Sequence, residues 1–327
     1  MLRLTPLLIY GGMLGCKACA GCGAPEFPDE PDEPVIADTE PPMDTAETAL
    51  PEDTTPPPPC EVPETEPNDA MGDANALPLE QTGCGGFTTE GDGEWLLFPG
   101  EDAEWLRVAV RAAAIGSAAD VAFSIMSLES YSITVISPTA YSEDPWLLFP
   151  ALGDEEYLLY LTERSGQHGD DHEWEIMASE DKAPVAWTVE EIEDNDLAEL
   201  AQTVEAGEVI LGTISRDEDY DWFHIPVPDS GDKISWSIMV EAYTSGSPLA
   251  ARMTLYPADI VGADMDDVDW LASVFGDEDS YDRDPHIEIQ SEEATDWYLV
   301  IKSPATGSNS GGSPFHWYSI AITNDLD

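Results

Sequence analysis

The chain carries a copy of part of itself. At an offset of 127, residues 62–99 align without a gap on residues 189–226, and ten of the 38 aligned positions are identical. Glu64, Glu66, Asn68 and Asp69 fall on Glu191, Glu193, Asn195 and Asp196; Gly85 falls on Gly212; Asp92, Trp95 and Pro99 fall on Asp219, Trp222 and Pro226. Glu90 and Glu94 meet Asp217 and Asp221, which keeps the charge. Each copy then runs on to an aromatic strand (Glu156-Tyr-Leu-Leu-Tyr-Leu or Asp296-Trp-Tyr-Leu-Val-Ile), a Gly-containing loop and a last strand starting at Trp174 or Trp317. A period this long means two copies of one domain-sized unit, not a solenoid of short repeats.

Each unit reads as β. Segments such as Val121-Ala-Phe-Ser-Ile, Ser132-Ile-Thr-Val-Ile, Ser235-Trp-Ser-Ile-Met-Val and Arg252-Met-Thr-Leu-Tyr are short β-branched or aromatic runs separated by Gly, Pro, Ser and Asp. Seven or eight such runs per unit predict a sandwich or jelly roll. Only 70–77 and 197–204 hint at helix, as one or two turns capped by Asn68-Asp69 and Asn195-Asp196. Trp95, Trp222, Trp105 and Trp236 lie in predicted strands and are expected in the core. Tyr141, Trp146, Tyr243, Trp270 and Tyr281 are the better candidates for exposed contact residues.

The order Glu-x-Glu-Pro-Asn-Asp, a Gly-initiated strand, Gly-Asp-x-Glu/Asp-Trp, and a closing Tyr-Leu-x-Leu strand resembles the bacterial pre-peptidase C-terminal domain. Residues 64–69 and 219–223 carry the resemblance most specifically, and Asp194, where the family has Pro, departs from it. The resemblance implies a jelly-roll-like β-sandwich without catalytic activity that serves secretion, targeting or substrate binding. It also implies calcium binding near the N-terminal segment in some members. No peptidase accompanies the repeats, so the role does not transfer directly.

The chain of 327 residues carries 11 Lys and Arg against 68 Asp and Glu, a formal charge of −57. Such a polyanion repels nucleic acid and anionic lipid surfaces, whose binding rests on basic side chains. Residues 24–63 hold twelve Pro, twelve acids and no Lys or Arg, too few apolar groups to offset the entropy of ordering. Proline and like-charge repulsion extend such a chain, to a reach on the order of 100 Å at about 3.1 Å per residue. Before it, an apolar run of residues 4–14 ends in Met13-Leu14-Gly15-Cys16. The run is too short to span a bilayer and resembles a bacterial lipoprotein signal, with Cys16 the lipid-bearing residue. The expected organisation is a signal segment (1–16), a disordered acidic Pro-rich stalk (17–60) and two tandem jelly-roll-like β-sandwiches (61–186 and 187–327), an all-β chain.

The sharpest chemical constellation is the repeated acidic set. Glu90, Asp92 and Glu94, like Asp217, Asp219 and Asp221, are spaced by two and would share one face of an extended strand. Like charges on one face call for a hard cation such as Ca²⁺, which takes six to eight oxygens. Glu66, Asn68 and Asp69, or Glu193, Asn195 and Asp196, could add ligands. The competing reading is a set of caps and solvated turns. The loop Asp264-Met-Asp266-Asp267-Val-Asp269 has no counterpart in the first copy, which favours simple solvation. His168-Gly-Asp-Asp-His172 looks metal-like only in composition, since the second copy has no His there. No Gly-x-Ser-x-Gly elbow and no His-Glu-x-x-His appears, and no catalytic residue is assigned. Cys60 and Cys84, in an exported protein, would pair and close a 24-residue loop, contributing about 3 kcal/mol by chain entropy.

The functional expectation is therefore a non-enzymatic module at the bacterial outer membrane or cell surface, or secreted. It would be monomeric, touch a membrane only through an N-terminal lipid, and bind an envelope or extracellular protein or polysaccharide. A calcium-dependent adhesion module and a hydrolase with an unrecognised site are the alternatives.

Overall fold

The computed structural model describes residues 60–100, 103–128, 133–136, 143–153, 155–216, 218–265, 267–275, 284–303 and 312–326. The signal segment with Cys16, nearly all of the stalk, Tyr141, Asp217 and Tyr281 lie outside them.

The first copy supplies ten strands: β1 Val62–Pro63, β2 Asn75–Ala76, β3 Thr82–Gly86, β4 Gly93–Pro99, β5 Trp105–Arg111, β6 Val121–Ser127, β7 Ile133–Ile136, β8 Trp146–Pro150, β9 Glu156–Glu163 and β10 Glu173–Asp181. The second supplies β11 Val189–Glu190, β12 Gln202–Thr203, β13 Val209–Thr213, β14 Tyr220–Val227, β15 Ile234–Glu241, β16 Arg252–Pro257, β17 Ala272–Phe275, β18 His286–Ser291, β19 Thr295–Lys302 and β20 Trp317–Asn324. The sheets of the first copy run β1-β3-β10-β5-β8 and β2-β4-β9-β6-β7. Those of the second run β11-β13-β20-β15-β18 and β12-β14-β19-β16-β17, the same order with every index raised by ten. Each copy is thus an all-β pair of five-stranded sheets. The pairing is antiparallel except where the two-residue strands β1, β2, β11 and β12 add on parallel.

The expected helices are single 3₁₀ turns, Met71–Asp73 and Ala198–Leu200, with no side-chain cap. Asn68 and Asn195 cannot cap them because both side chains are fully buried elsewhere.

Alternation along each strand builds the cores. β15 buries Ile234, Trp236, Ile238 and Val240 and turns the intervening residues outward. Trp105 and Trp236 are core residues as expected. Trp95 is not: in β4 it falls on the outward register, half-buried, stacked on Tyr160 at 4.7 Å between ring centroids, while Leu96 and Phe98 point inward. Its counterpart Trp222 is buried in a separate outer cluster with Tyr256, Ile260 and Val300.

The two sandwiches share core. Phe315 and Trp317, from the second copy, belong to the first copy's apolar cluster. Trp317 meets Trp105 edge-on at 5.1 Å, and Phe315 meets Phe149 edge-on at 5.0 Å. The edge strand β8 is covered in the process: Trp317 Nε1 donates to the Leu148 carbonyl at 2.6 Å, and the Leu148 amide donates to the Gly246 carbonyl at 3.0 Å. Exposed strand edges invite unwanted pairing, and here the second copy supplies the cover.

Candidate functional site: a duplicated buried carboxylate cluster

The short strand β1 brings Glu64 and Glu66 over the first sandwich. The Glu64 amide donates to the Cys84 carbonyl at 2.9 Å, and its carboxylate accepts from the Gly86 amide at 3.1 Å. Gly85 is required beneath it, because a Cβ there would collide with the Glu64 carboxylate and the Trp174 ring. β4 of the other sheet supplies Glu94, fully buried. One carboxylate oxygen from each of Glu64, Glu66 and Glu94 lies within 4.8 Å of the others.

The second copy repeats this arrangement. The Glu191 amide donates to the Leu211 carbonyl at 2.9 Å, its carboxylate accepts from the Thr213 amide at 2.9 Å, and a Cβ on Gly212 would meet Tyr318 and Glu191. Glu191, Glu193 and Asp221 bring their oxygens within the same 4.8 Å, and Asp221 is fully buried. The Glu66–Pro67 and Glu193–Asp194 peptides are both cis.

Several polar atoms around these clusters have no hydrogen-bond partner: both Glu94 oxygens, Oδ1 and Nδ2 of the fully buried Asn68, and Oδ1 of Asn195, Asp219 and Asp221. Buried polar atoms are almost always paired, so an orphaned group this concentrated marks a place built for something else. Burial, reinforced by the Glu64 charge, pushes the Glu94 carboxyl up to about 9. Burial and then the Glu191 charge push Asp221 up to about 10. Glu193 rises to about 7, first by burial and then through Glu191, while Glu64 and Glu191 are raised chiefly by burial. Glu66 and Glu193 stand exposed at the rim, and the deeper pairs, Glu64 with Glu94 and Glu191 with Asp221, oppose each other's ionisation unless a positive charge compensates.

The two sites differ in their lids. Tyr318 donates to Asp221 at 2.6 Å and lies 3.2 Å from Glu191; its single hydrogen cannot serve both. The equivalent residue in the first copy, Trp174, is buried with an unpartnered Nε1 and gives the carboxylates nothing. Arg216 stands outside the second cluster, bonded to Asp196 at 2.6 Å, and has Thr89 as its counterpart.

The structure sorts the acids singled out in the sequence. It brings together Glu66, Asn68 and Glu94, and Glu193, Asn195 and Asp221. Asp69 is exposed, and Asp196 is engaged by Arg216. Glu90 and Asp92 do not share a face with Glu94, because Gly91 turns the chain at φ 80° and β4 starts only at Gly93. The Asp92 carboxylate closes that turn on the Thr88 and Thr89 amides at 2.6 and 3.1 Å, and Asp219 does the same at Ser215. Glu64 and Glu191 were not among the expected ligands, although their identity across the repeat and the glycines opposite them were visible. His172 is buried against its neighbour Asp171 at 2.8 Å, and His168 is exposed; the pair forms no metal site. Cys60 and Cys84 are bonded, with Cα atoms 5.8 Å apart. Among the described residues no helix is long and apolar enough to cross a membrane.

No protein-family model and no curated protein matches this chain. Among solved structures it is similar to the pre-peptidase C-terminal domain of a collagenase from Bacillus anthracis, with 16% identity over 38% of this chain and 94% of that one and a TM-score of 0.26. It is also similar to the tandem CBM22 domains of Xyn10C from Paenibacillus barcinonensis, with 14% identity over 73% of this chain and 84% of that one and a TM-score of 0.21. At these scores the likenesses add nothing to the function, and the sandwich fold rests on the strand order itself.

Proposed function

We propose that this protein is an exported, non-catalytic binding and structural module whose two sandwiches each hold a hard divalent cation such as Ca²⁺ between the incoming N-terminal segment and the opposite sheet. The observation that carries this reading is the pair of fully buried carboxylates, Glu94 with both oxygens and Asp221 with Oδ1 left without a hydrogen bond, each within 4.8 Å of two further carboxylates. An all-oxygen donor set with Asn at its margin suits Ca²⁺ rather than zinc or copper. The cation would replace a proton as the neutralising charge and tie the first residues of each sandwich to the sheet behind them. The lipoprotein-like sequence of residues 4–16 supports export with lipidation at Cys16, and in this reading the acidic stalk serves as a spacer to an envelope glycan or protein.

A ligand bound only by the folded state stabilises it, by about 2.7 kcal/mol at a hundredfold excess over Kd for each site, and so raises its melting temperature. We expect a higher Tm at pH 7.5 in millimolar calcium than in chelator. Calorimetric titration of the full chain should count two sites, falling to one in Glu94→Gln and one in Asp221→Asn. An identical melt in calcium and chelator would reject the cation reading.

A further inference from the structure

The first carboxylate cluster has a covalent tether beside it that the second lacks. Two of its three carboxylates, Glu64 and Glu66, stand on a segment whose only strand, β1, is two residues long. Apart from that strand it is held by the Glu61 amide on Thr82, the Glu64 amide on Cys84 and the Glu61 carboxylate on the Thr82 amide, at 3.0, 2.9 and 3.1 Å, and by Thr65, whose amide donates to Asn75 Oδ1 at 2.6 Å and whose carbonyl accepts from Asn75 Nδ2 at 3.1 Å. A two-residue edge strand has little stability of its own. The Cys60–Cys84 disulfide sits at its start and joins it to the residue next to Gly85 and Gly86, the floor on which the Glu64 carboxylate lies.

The second copy solves the same problem differently. The repeat offset places Trp187 at the position of Cys60 and Leu211 at that of Cys84. Both pack against the apolar cluster that the two copies share, Trp187 with its ring centroid 6.4 Å from that of Trp105 in the first sandwich. The segment leading through β11 to Glu191 and Glu193 is thus anchored at Trp187 by apolar contact with the preceding domain. The residues before the first sandwich are acidic and Pro-rich, poor in the apolar side chains such a contact needs, and the disulfide takes its place.

We propose that the Cys60–Cys84 disulfide is the positioning element of the first cation site, so that cation affinity at Glu64, Glu66 and Glu94 is redox-dependent while affinity at Glu191, Glu193 and Asp221 is not. The inference rests on the cation reading above. By linkage the dependence is reciprocal: a cation favoured by the oxidised form protects that disulfide from reduction. Reduction by a dithiol transfers two electrons and two protons, giving thiols at Cys60 and Cys84 and leaving the dithiol as its own disulfide.

The test uses the full chain in the Asp221→Asn background, which leaves the first site alone, and calcium as the probe. Adding Cys60→Ser and Cys84→Ser should weaken calcium binding by about 10- to 100-fold, the range seen when a group that orients a ligand is lost. The same two substitutions with Glu94→Gln, which leaves the second site alone, should leave affinity unchanged and certify that the double-serine protein is folded. If that control fails to fold, the wild-type protein decides: calcium should slow dithiol reduction, read as alkylation of Cys60 and Cys84 by peptide mass, and Glu94→Gln should abolish the protection. Equal affinity with and without the disulfide, or equal reduction with and without calcium, overturns the inference while leaving the cation reading intact. Absence of calcium binding at either site in the wild type overturns both.

Discussion

The two sandwiches have the same strand order and the same buried carboxylate geometry, yet each is closed off by different means. In the first, the incoming strand is bonded through Cys60–Cys84 and the edge strand β8 is covered by Trp317 and Gly246 of the second. In the second, the incoming segment is held by Trp187 against Trp105 of the first, and the corresponding edge strand β18 carries His286, Glu288 and Gln290 outward. The residues that cover β8 have no equivalents in the first copy: the repeat register sets Phe315 and Trp317 against Asp171 and Glu173. A domain that lacks the covering residues cannot cap a neighbour as the second does. The two copies keep one fold, and a few boundary residues make them an ordered, unequal pair.

The sharpest way to break this asymmetry is Trp317→Ala. Trp317 is fully buried and contributes both to the shared core and to the Leu148 carbonyl, so its truncation should cost about 3–5 kcal/mol, within the range for buried Trp and Phe. Its symmetry-related position, Glu173, is exposed, and Glu173→Ala should change stability by less than about 0.5 kcal/mol. Urea denaturation followed by Trp fluorescence measures both. Comparable losses at the two positions would mean that the interface carries no stability.

The carboxylate clusters offer the next largest effect, with a sign fixed by their titration. Glu94 ordinarily loses its proton near 4.5 and Asp221 near 3.8; folded, they hold it to about 9 and about 10. A raised folded value means the contribution is complete below the ordinary value and is lost as pH rises through the folded one. In chelator, Tm should therefore fall from pH 5 to pH 9, and calcium should remove much of that fall by supplying charge where the proton leaves. Glu94→Gln, permanently neutral, should flatten the slope in chelator. A chelator profile that rises with pH would contradict the buried-acid assignment.

The fold was legible because apolar alternation and turn residues recur in both copies, and the repeat itself made one domain a check on the other. The site was half legible. Spacing by two marked Glu94 and Asp221 but swept in Glu90 and Asp92, since a sequence pattern cannot show that Gly91 ends the extended backbone before β4 begins. The shared core was hidden for another reason. Trp317 reads as an ordinary strand aromatic, and only the packing of two domains decides which core it enters.

A second pair of acids escaped notice although it too is duplicated. Asp144 accepts the amides of Ala112, Ala113 and Ala114 at 2.8, 2.8 and 2.9 Å; Asp284 accepts those of Ala242, Tyr243 and Thr244 at 3.1, 2.8 and 3.0 Å. Both precede a proline, and Asp-Pro before a strand was the available signal. Each caps a 3₁₀ turn ending in a left-handed glycine, Gly116 or Gly246. Replacing either Asp by Ala should cost about 1–2 kcal/mol, as for a lost helix cap. Asp284→Ala should cost more than Asp144→Ala, because its turn also presents the Gly246 carbonyl to β8. Equal costs in thermal melts would show that the turn and the interface are uncoupled.

The smallest predicted effect isolates backbone conformation in one equivalent pair. Gly91 and Glu218 occupy the same position in the turn before β4 and β14, with φ of 80° and 62°, and both are exposed. The left-handed region costs an ordinary L-residue roughly 1–2 kcal/mol, part of which glycine returns through its freer unfolded chain. Glu218→Gly should therefore stabilise by about 0.5–1 kcal/mol, and Gly91→Glu should destabilise by a similar amount. Removing one of 68 acids would also relieve repulsion, so Glu218→Ala serves as the discriminating control. Alanine discards the charge but keeps the Cβ that makes the left-handed backbone costly. If chemical denaturation finds Glu218→Ala as stabilising as Glu218→Gly, the gain is electrostatic and the backbone argument fails; if only glycine stabilises, the first copy holds the better residue for this turn.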